Sequence, residues 1–248
     1  MTAPFAEVEA AFARGDNDAV LRLTEVMLTE RPGDDAAHEM RARALLALGR
    51  LDEAEREADD AVRLDPEEIR YRELLAEVLR AQGAHRDAAA EFGELARHDP
   101  RQADWTLAEA QERLDAAQPD LGAEAARRAV RLDPRNGRAQ LALSKALART
   151  GDAHGALNAA GAALRLLGGL AEAREALADA EWLSDQDAAA FTEFRALSHE
   201  LEGPDRDRVI RKARALYRQR AGWFGRLIAA VPPLFSLAFR NGWISVRP

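Results

Sequence analysis

The histidines and serines of this 248-residue chain are its candidates for metal binding and nucleophilic catalysis, and their spacing favours neither. Helical metal sites bring ligands together at short spacings such as HExxH, and a hydrolase serine commonly lies in a GxSxG turn. Neither pattern occurs here. The histidines are His38, His85, His98, His154 and His199. We therefore predict surface or groove histidines, no catalytic residue, no metal site and no cofactor.

The cysteine content and the N-terminal sequence both favour a cytoplasmic protein. The chain has no cysteine, which excludes a disulfide framework, a thiolate metal site and a cysteine nucleophile. Residues 1–15 lack the basic and apolar segments of a secretory signal. We expect the chain to remain in the cytoplasm.

Charge is unevenly distributed between the two ends of the chain. Residues 205–248 contain ten basic and two acidic residues, a net charge of +8, which leaves −16 on residues 1–204. An acidic surface of this size repels phosphates, so we expect no nucleic-acid partner.

A 34-residue repeat organises most of the sequence. Prolines and glycines each recur on this grid, with Ala117 at one missing glycine. The prolines are Pro32, Pro66, Pro100 and Pro134, and the glycines are Gly15, Gly49, Gly83 and Gly151. Each period contains two amphipathic stretches. The glycine suits a left-handed turn after the first helix, and the proline separates one helix pair from the next. Helix pairs must position any functional side chain.

The repeat resembles the tetratricopeptide repeat family, whose units are 34-residue helix-turn-helix hairpins. The second unit matches the family pattern at Ala42, Leu45, Gly49, Ala54, Ala61 and Pro66, and the third at Leu75, Ala76, Leu79, Ala88, Phe92 and Pro100. We align six units, beginning at Met1, Asp35, Ile69, Ala103, Gly137 and Ala171. The sixth departs most, with Asp185 at the turn and a late proline, Pro204.

The resemblance implies an all-α, right-handed α-solenoid whose function resides in a concave groove lined by the first helices. In the family register, positions 2, 5, 9 and 13 of units two to five face this groove. The predicted groove residues are Arg43, Arg70, Glu73, Glu77, Gln111, Arg138, Lys145 and Arg149, together with Glu39. Arg138, Lys145 and Arg149 form a basic strip that could bind a carboxylate, although an ordinary solvated helix face explains it equally well.

The solenoid, residues 1–204, should end in a capping helix over residues 205–220. Val209, Ile210, Ala213, Leu216 and Tyr217 form its apolar stripe. Arginines on its other face, Arg211, Arg214 and Arg218, could also meet an acidic partner or anionic lipid.

The segment that follows, residues 221–248, is apolar and rich in aromatic residues. It contains Trp223, Phe224, Phe235, Phe239 and Trp243. Arg226 and the Pro232-Pro233 pair interrupt the apolar run, which disfavours a simple transmembrane helix. Two interpretations remain equal: an interfacial anchor on the inner face of a membrane, or burial in the groove of this chain or in a partner.

Three functional hypotheses follow. The first is a non-catalytic scaffold that binds a partner peptide or helix in the concave groove. The second is an assembly factor attached to a membrane surface through residues 205–248. The third is a solenoid whose own tail occupies its groove.

Overall fold

The chain folds into thirteen helices over the residues that the structure describes. The computed structural model describes residues 3–220, and within that range there is no β-strand. The helices are α1 (Ala3–Ala13), α2 (Asn17–Glu30), α3 (Asp35–Ala47), α4 (Leu51–Leu64), α5 (Ile69–Gln82), α6 (His85–His98), α7 (Ala103–Asp115), α8 (Pro119–Leu132), α9 (Gly137–Thr150), α10 (Ala153–Leu166), α11 (Ala171–Leu183), α12 (Asp187–Glu200) and α13 (Gly203–Arg220).

The helices form successive hairpins, which confirms the all-α repeat fold. Helices α3, α5, α7, α9 and α11 begin at the five residues where the sequence starts units two to six. The helices divide into two compact units, an N-terminal unit with α1–α8 and a C-terminal unit with α9–α13. Within each unit, every helix packs on the next one in sequence. The first helices of consecutive repeats also contact each other: α3 contacts α5, and α9 contacts α11.

The turn inside each hairpin depends on a left-handed residue. Gly15, Gly49, Gly83 and Gly151 have φ between 72° and 85°. Where the glycine is missing, Ala117 and Asp185 adopt the same conformation, with φ of 56° and 59°. The turn is therefore kept by the packing of the two helices even where its residue is unfavourable.

Acidic side chains begin several of the helices. Asp16 and Asp152 accept hydrogen bonds from the backbone N–H groups of Ala19 and Gly155, at 3.0 and 2.9 Å. Each bond satisfies a backbone donor that lacks a partner in the first helical turn.

Small residues allow the two helices of a hairpin to approach closely. Ala54, Ala88, Ala156 and Ala190 recur 34 or 68 residues apart, and each is fully buried. At the intervening position, a Cβ added to Gly122 would lie 3.2 Å from Cγ of Leu114. A larger side chain at this point would force the helices apart.

Helix α13 covers the last apolar face of the C-terminal unit. Val209, Ala213 and Leu216 are buried in a cluster with Phe194 and Leu197 of α12. The other two residues of the predicted stripe, Ile210 and Tyr217, are half-buried. The helix begins at Gly203, two residues before the predicted start, and its last described residue is Arg220.

No helix within residues 3–220 is both long and apolar enough to cross a bilayer.

The left-handed alanine yields a test of the turn. We expect Ala117→Gly to raise the free energy of unfolding by about 1 kcal/mol, because a left-handed L-residue costs about 1–2 kcal/mol and glycine's greater entropy loss offsets part of that gain. Ala116, its neighbour, has φ of −72°, so Ala116→Gly should lower the free energy of unfolding. Urea unfolding followed by circular dichroism measures both. The turn assignment is wrong if the two variants shift stability in the same direction.

Candidate functional site

The C-terminal unit contains an open cleft of about 750 Å³, which we call the C-terminal cleft. Helices α9, α11 and α13 form its walls. Its lining residues are Ser144, Lys145, Ala148, Arg149, Glu172, Glu175, Ala176, Asp179, Trp182, Leu183, Asp185, Arg208, Lys212 and Gln219. Two walls are therefore first helices of repeats, and the third is the capping helix.

Helix α13 acts here as the first helix of a further repeat. Its apolar residues Val209, Ala213 and Leu216 pack on the preceding hairpin. With 3.6 residues per turn, this places Arg208, Lys212 and Gln219 on another face of the helix, which lines the cleft. One helix therefore closes the apolar core and completes the cleft.

A buried carboxylate joins α11 to α13. Glu175 of α11 is 5% exposed, and its carboxylate accepts hydrogen bonds from Arg208 and Lys212 of α13. Arg208 donates through Nε and Nη2 at 2.9 and 2.7 Å, and Lys212 donates through Nζ at 2.8 Å. Burial alone would raise the pKa of Glu175, but these two cations outweigh it and lower the pKa to about 2. Glu175 is therefore ionised at neutral pH and fixes the position of α13.

Two further ion pairs of the cleft join different helices. Lys212 donates to Asp179 at 2.5 Å, and Lys145 of α9 pairs with Glu172 of α11. Burial raises the pKa of Asp179, although the charge of Lys212 opposes the shift. The lining contains four basic and four acidic residues, so its net charge is zero.

Trp182 and Leu183, at the C-terminal end of α11, form the apolar floor of the cleft. Trp182 is half-buried, and Leu183 is 40% exposed. The Trp182 ring packs edge-on against Phe194, with 6.2 Å between centroids, and its Nε1 donates to Oε1 of Gln219 at 3.1 Å. The indole is thus held in one orientation, with part of its surface open to the cleft.

The predicted groove residues of the N-terminal unit form a compact charge network. Glu39 is buried, and its carboxylate lies 3.0 Å from Arg43 and 3.7 Å from Arg70. Arg70 also donates to the hydroxyl of Tyr71, which donates to Asp35. Burial, followed by this donation to Asp35, raises the pKa of Tyr71 to about 12. The carboxylate of Glu39 therefore forms ion pairs within the fold.

The remaining predictions in this unit have different surroundings. Glu73 accepts a hydrogen bond from Nε1 of Trp105 at 2.7 Å, which joins consecutive first helices. Glu77 is exposed, and Gln111 is half-buried. These residues occupy the same first-helix positions as cleft residues of α9 and α11.

The predicted basic strip of the fifth unit is divided. Lys145 and Arg149 line the C-terminal cleft, whereas Arg138 is exposed and is not among the lining residues. Lys145 is also paired with Glu172. The strip as a carboxylate site stays a prediction.

The predictions for the C-terminal segment can be followed only to the end of α13. Arg211 and Arg218 are exposed, and Arg214 is half-buried. Trp223, Phe224, Phe235, Phe239 and Trp243 lie outside the described residues. Membrane anchoring and occupation of the groove by the tail stay predictions.

Four cleft residues lie at the groove positions of the sixth unit, whereas the predicted groove was limited to units two to five. The same positions of the sixth unit are Glu172, Glu175, Asp179 and Leu183, and all four line the cleft. Extending the register would have found them. The repeat register could not identify Arg208, Lys212 and Gln219 as cleft residues, because α13 follows the last repeat.

The prediction that the histidines lie on the surface or in the groove is wrong for His38. His38 is buried beside Glu57 and Asp60, and one potential ligand atom from each lies within 4.8 Å of the others. Its Nδ1 is 2.7 Å from Glu57 and its Nε2 is 3.1 Å from the Pro32 carbonyl. Arg41 also donates to Glu57 at 3.0 Å. Both ring nitrogens are engaged by oxygen atoms, so we interpret the cluster as a brace between α3 and α4.

Comparison with protein families gives two matches of the same kind. Both are to the tetratricopeptide repeat, one over residues 11–78 and the other over residues 107–166. Together they cover just over half of the chain. No curated protein sequence matches the chain.

Solved structures share this fold at low sequence identity. A tetratricopeptide repeat protein from Parabacteroides merdae has a TM-score of 0.68 at 12% identity, covering 86% of this chain and 87% of its own. YrrB, a TPR protein with an unusual peptide-binding site, has a TM-score of 0.61 at 18% identity, covering 76% and 96%. MamA from Desulfovibrio magneticus RS-1 has a TM-score of 0.58 at 19% identity, covering 67% and 92%. These likenesses establish the fold.

The buried carboxylate predicts an acid-dependent loss of stability. The pKa of Glu175 is about 2 in the folded chain and has the ordinary value of 4.5 in the unfolded chain. Its contribution, on the order of 3 kcal/mol, is therefore complete above pH 4.5 and is lost as the pH falls towards 2. We expect Glu175→Gln to lower the free energy of unfolding at pH 7, with the difference from the parent chain shrinking towards pH 2.

Urea unfolding at several pH values measures this difference. Glu172→Gln is the matched control on the same helix, because that side chain is half exposed and its pair should contribute less than about 1 kcal/mol. A difference between parent and Glu175→Gln that is the same at pH 7 and pH 2 would contradict the assignment.

Proposed function

We propose that this chain, which belongs to the tetratricopeptide repeat family, binds a peptide or helix of a partner protein in the C-terminal cleft. Tetratricopeptide repeat proteins are in general non-catalytic scaffolds for protein interactions, and the fold of this chain is that of such a scaffold. The observation that supports a specific binding place is the cleft, whose lining includes both apolar surface and paired charges.

The size and lining of the cleft suit the side chains of a peptide. Its volume of about 750 Å³ falls within the range of about 300–1,000 Å³ that is usual for ligand sites. Trp182 and Leu183 offer apolar surface, and tryptophan is among the residues that contribute most to binding at protein interfaces. An apolar or aromatic side chain of the partner would bury this surface and gain free energy by the hydrophobic effect.

The charges around the floor favour a partner segment without a large net charge. Four basic residues balance four acidic ones, and Glu175, Asp179 and Glu172 are already paired within the unit. A strongly acidic or basic peptide would have to compete with these pairs. Binding through apolar contact would therefore depend only weakly on salt concentration.

Likeness to YrrB adds support of a more general kind. That protein is a TPR protein with an unusual peptide-binding site, and its fold is similar to that of this chain. Peptide binding is thus compatible with the fold. The residues that line the C-terminal cleft support that cleft as the binding site.

Site-specific photo-crosslinking tests the proposal. We expect a photoreactive phenylalanine analogue at Ala148, in the cleft, to form covalent adducts with a partner segment in cells that produce the chain. The same analogue at Ala188, an exposed residue of α12, is the matched control and should give none of these adducts. Mass spectrometry identifies the segment that is bound.

The affinity of that segment, made as a synthetic peptide, provides the quantitative measurement. We expect Leu183→Ala to weaken binding about tenfold, because it removes half of the apolar floor. Leu166→Ala should leave affinity unchanged, since Leu166 has similar exposure, 43% against 40%, but does not line the cleft. Equal losses from both variants, or equal adducts from both crosslinking positions, would rule out the cleft as the binding place.

A further inference from the structure

The described chain ends at the edge of the C-terminal cleft. Gln219 lines the cleft and accepts a hydrogen bond from Trp182, the aromatic residue of its floor. Trp223 follows four residues later, and an extended chain spans at most about 3.6 Å per residue. The Cα atom of Trp223 is therefore within about 14 Å of the Cα atom of Gln219, whatever conformation the segment has.

The composition of this segment complements the cleft. Residues 221–226 read Ala-Gly-Trp-Phe-Gly-Arg, two adjacent aromatic residues between glycines, followed by a cation. The cleft offers an apolar floor for the aromatic rings. Asp185 is an acidic lining residue whose side chain makes no ion pair within residues 3–220, and its carboxylate suits Arg226. The two glycines permit the backbone to reverse direction.

Attachment to α13 also gives the segment a large advantage over a free peptide. A short flexible connection makes binding intramolecular, with an effective concentration in the millimolar range. At an effective concentration of about 1 mM, contacts of Trp223 and Phe224 with a dissociation constant of about 0.1 mM would fill the cleft about nine-tenths of the time.

We propose that residues 221–226 of this chain bind in its own C-terminal cleft, with Trp223 and Phe224 against Trp182 and Leu183. A partner peptide must displace this segment, so the chain limits its own binding. This inference rests on the proposed function, because it gives the same cleft a competing occupant. Its first test is independent of any partner.

The absence of cysteine from the sequence permits that test in the full-length chain. A disulfide requires Cα atoms about 4.4–6.8 Å apart, so it forms quickly only between residues that meet. We expect Leu183→Cys with Phe224→Cys to oxidise to an intramolecular disulfide at least tenfold faster than Leu166→Cys with Phe224→Cys. Both leucines are exposed, so either substitution should leave the fold intact. Peptide mapping by mass spectrometry identifies the bond.

The second measurement uses the partner peptide found by crosslinking. Trp223→Ala with Phe224→Ala should increase the affinity of that peptide about tenfold, because its competitor is removed. Phe239→Ala with Trp243→Ala is the matched control in the same tail and should leave affinity unchanged. An increase from both pairs would contradict the specific role of residues 221–226.

The outcomes separate this inference from the proposed function. Rapid formation of the 183–224 disulfide without any adduct at Ala148 would retain the intramolecular contact and remove the partner site. Adducts at Ala148 with equal oxidation rates for the two cysteine pairs would retain the partner site and overturn the inference. Flotation of the intact chain with anionic vesicles, with slow oxidation of both cysteine pairs, would instead assign the segment to a lipid surface and also overturn it.

Discussion

The close approach of the two helices in each hairpin is the constraint on which the rest of the structure depends. The fully buried Ala54, Ala88, Ala156 and Ala190, with Gly122, leave no room for a larger side chain between the helices. A short left-handed turn is then required to reverse the chain, and the packing imposes it even on Ala117 and Asp185. Because each hairpin has the same geometry, first helices follow one another side by side within a unit. The walls of the C-terminal cleft are a consequence of that repetition.

Small side chains also limit how much apolar surface each hairpin can bury, and ion pairs contribute the specificity that alanine lacks. Pairs 19 residues apart occur within four repeats: His38–Glu57, Arg72–Glu91, Glu109–Arg128 and Arg174–Glu193. Each joins the first helix of a hairpin to the second. Other pairs join consecutive repeats, as Arg80 does with Glu112. A half-buried pair with good geometry fixes the register of two helices because a shifted register would leave a charge without its partner.

The repeat period was enough to predict the hairpins, the starting residues of α3, α5, α7, α9 and α11 and the turn positions, because these depend on steric requirements that only a few residue types meet. The candidate site was less predictable. Glu175 is buried and Glu77 is exposed, yet both are glutamates of first helices in an acidic sequence. Their difference arises from Arg208 and Lys212, which follow the last repeat and have no place in its pattern. Contacts with a helix that follows the last repeat cannot be predicted from the 34-residue period.

The dual position of α13 couples the stability of the C-terminal unit to the shape of the candidate site. Its buried Val209, Ala213 and Leu216 close the core, while Arg208 and Lys212 close the cleft through Glu175. A chain cut at residue 204 would expose the apolar surface around Phe194 and remove Arg208 and Lys212, the hydrogen-bond partners of Glu175. Residues 1–204 lack α13 and therefore lack one wall of the candidate site. The helix that appears in the sequence as a cap is also a wall of the candidate site.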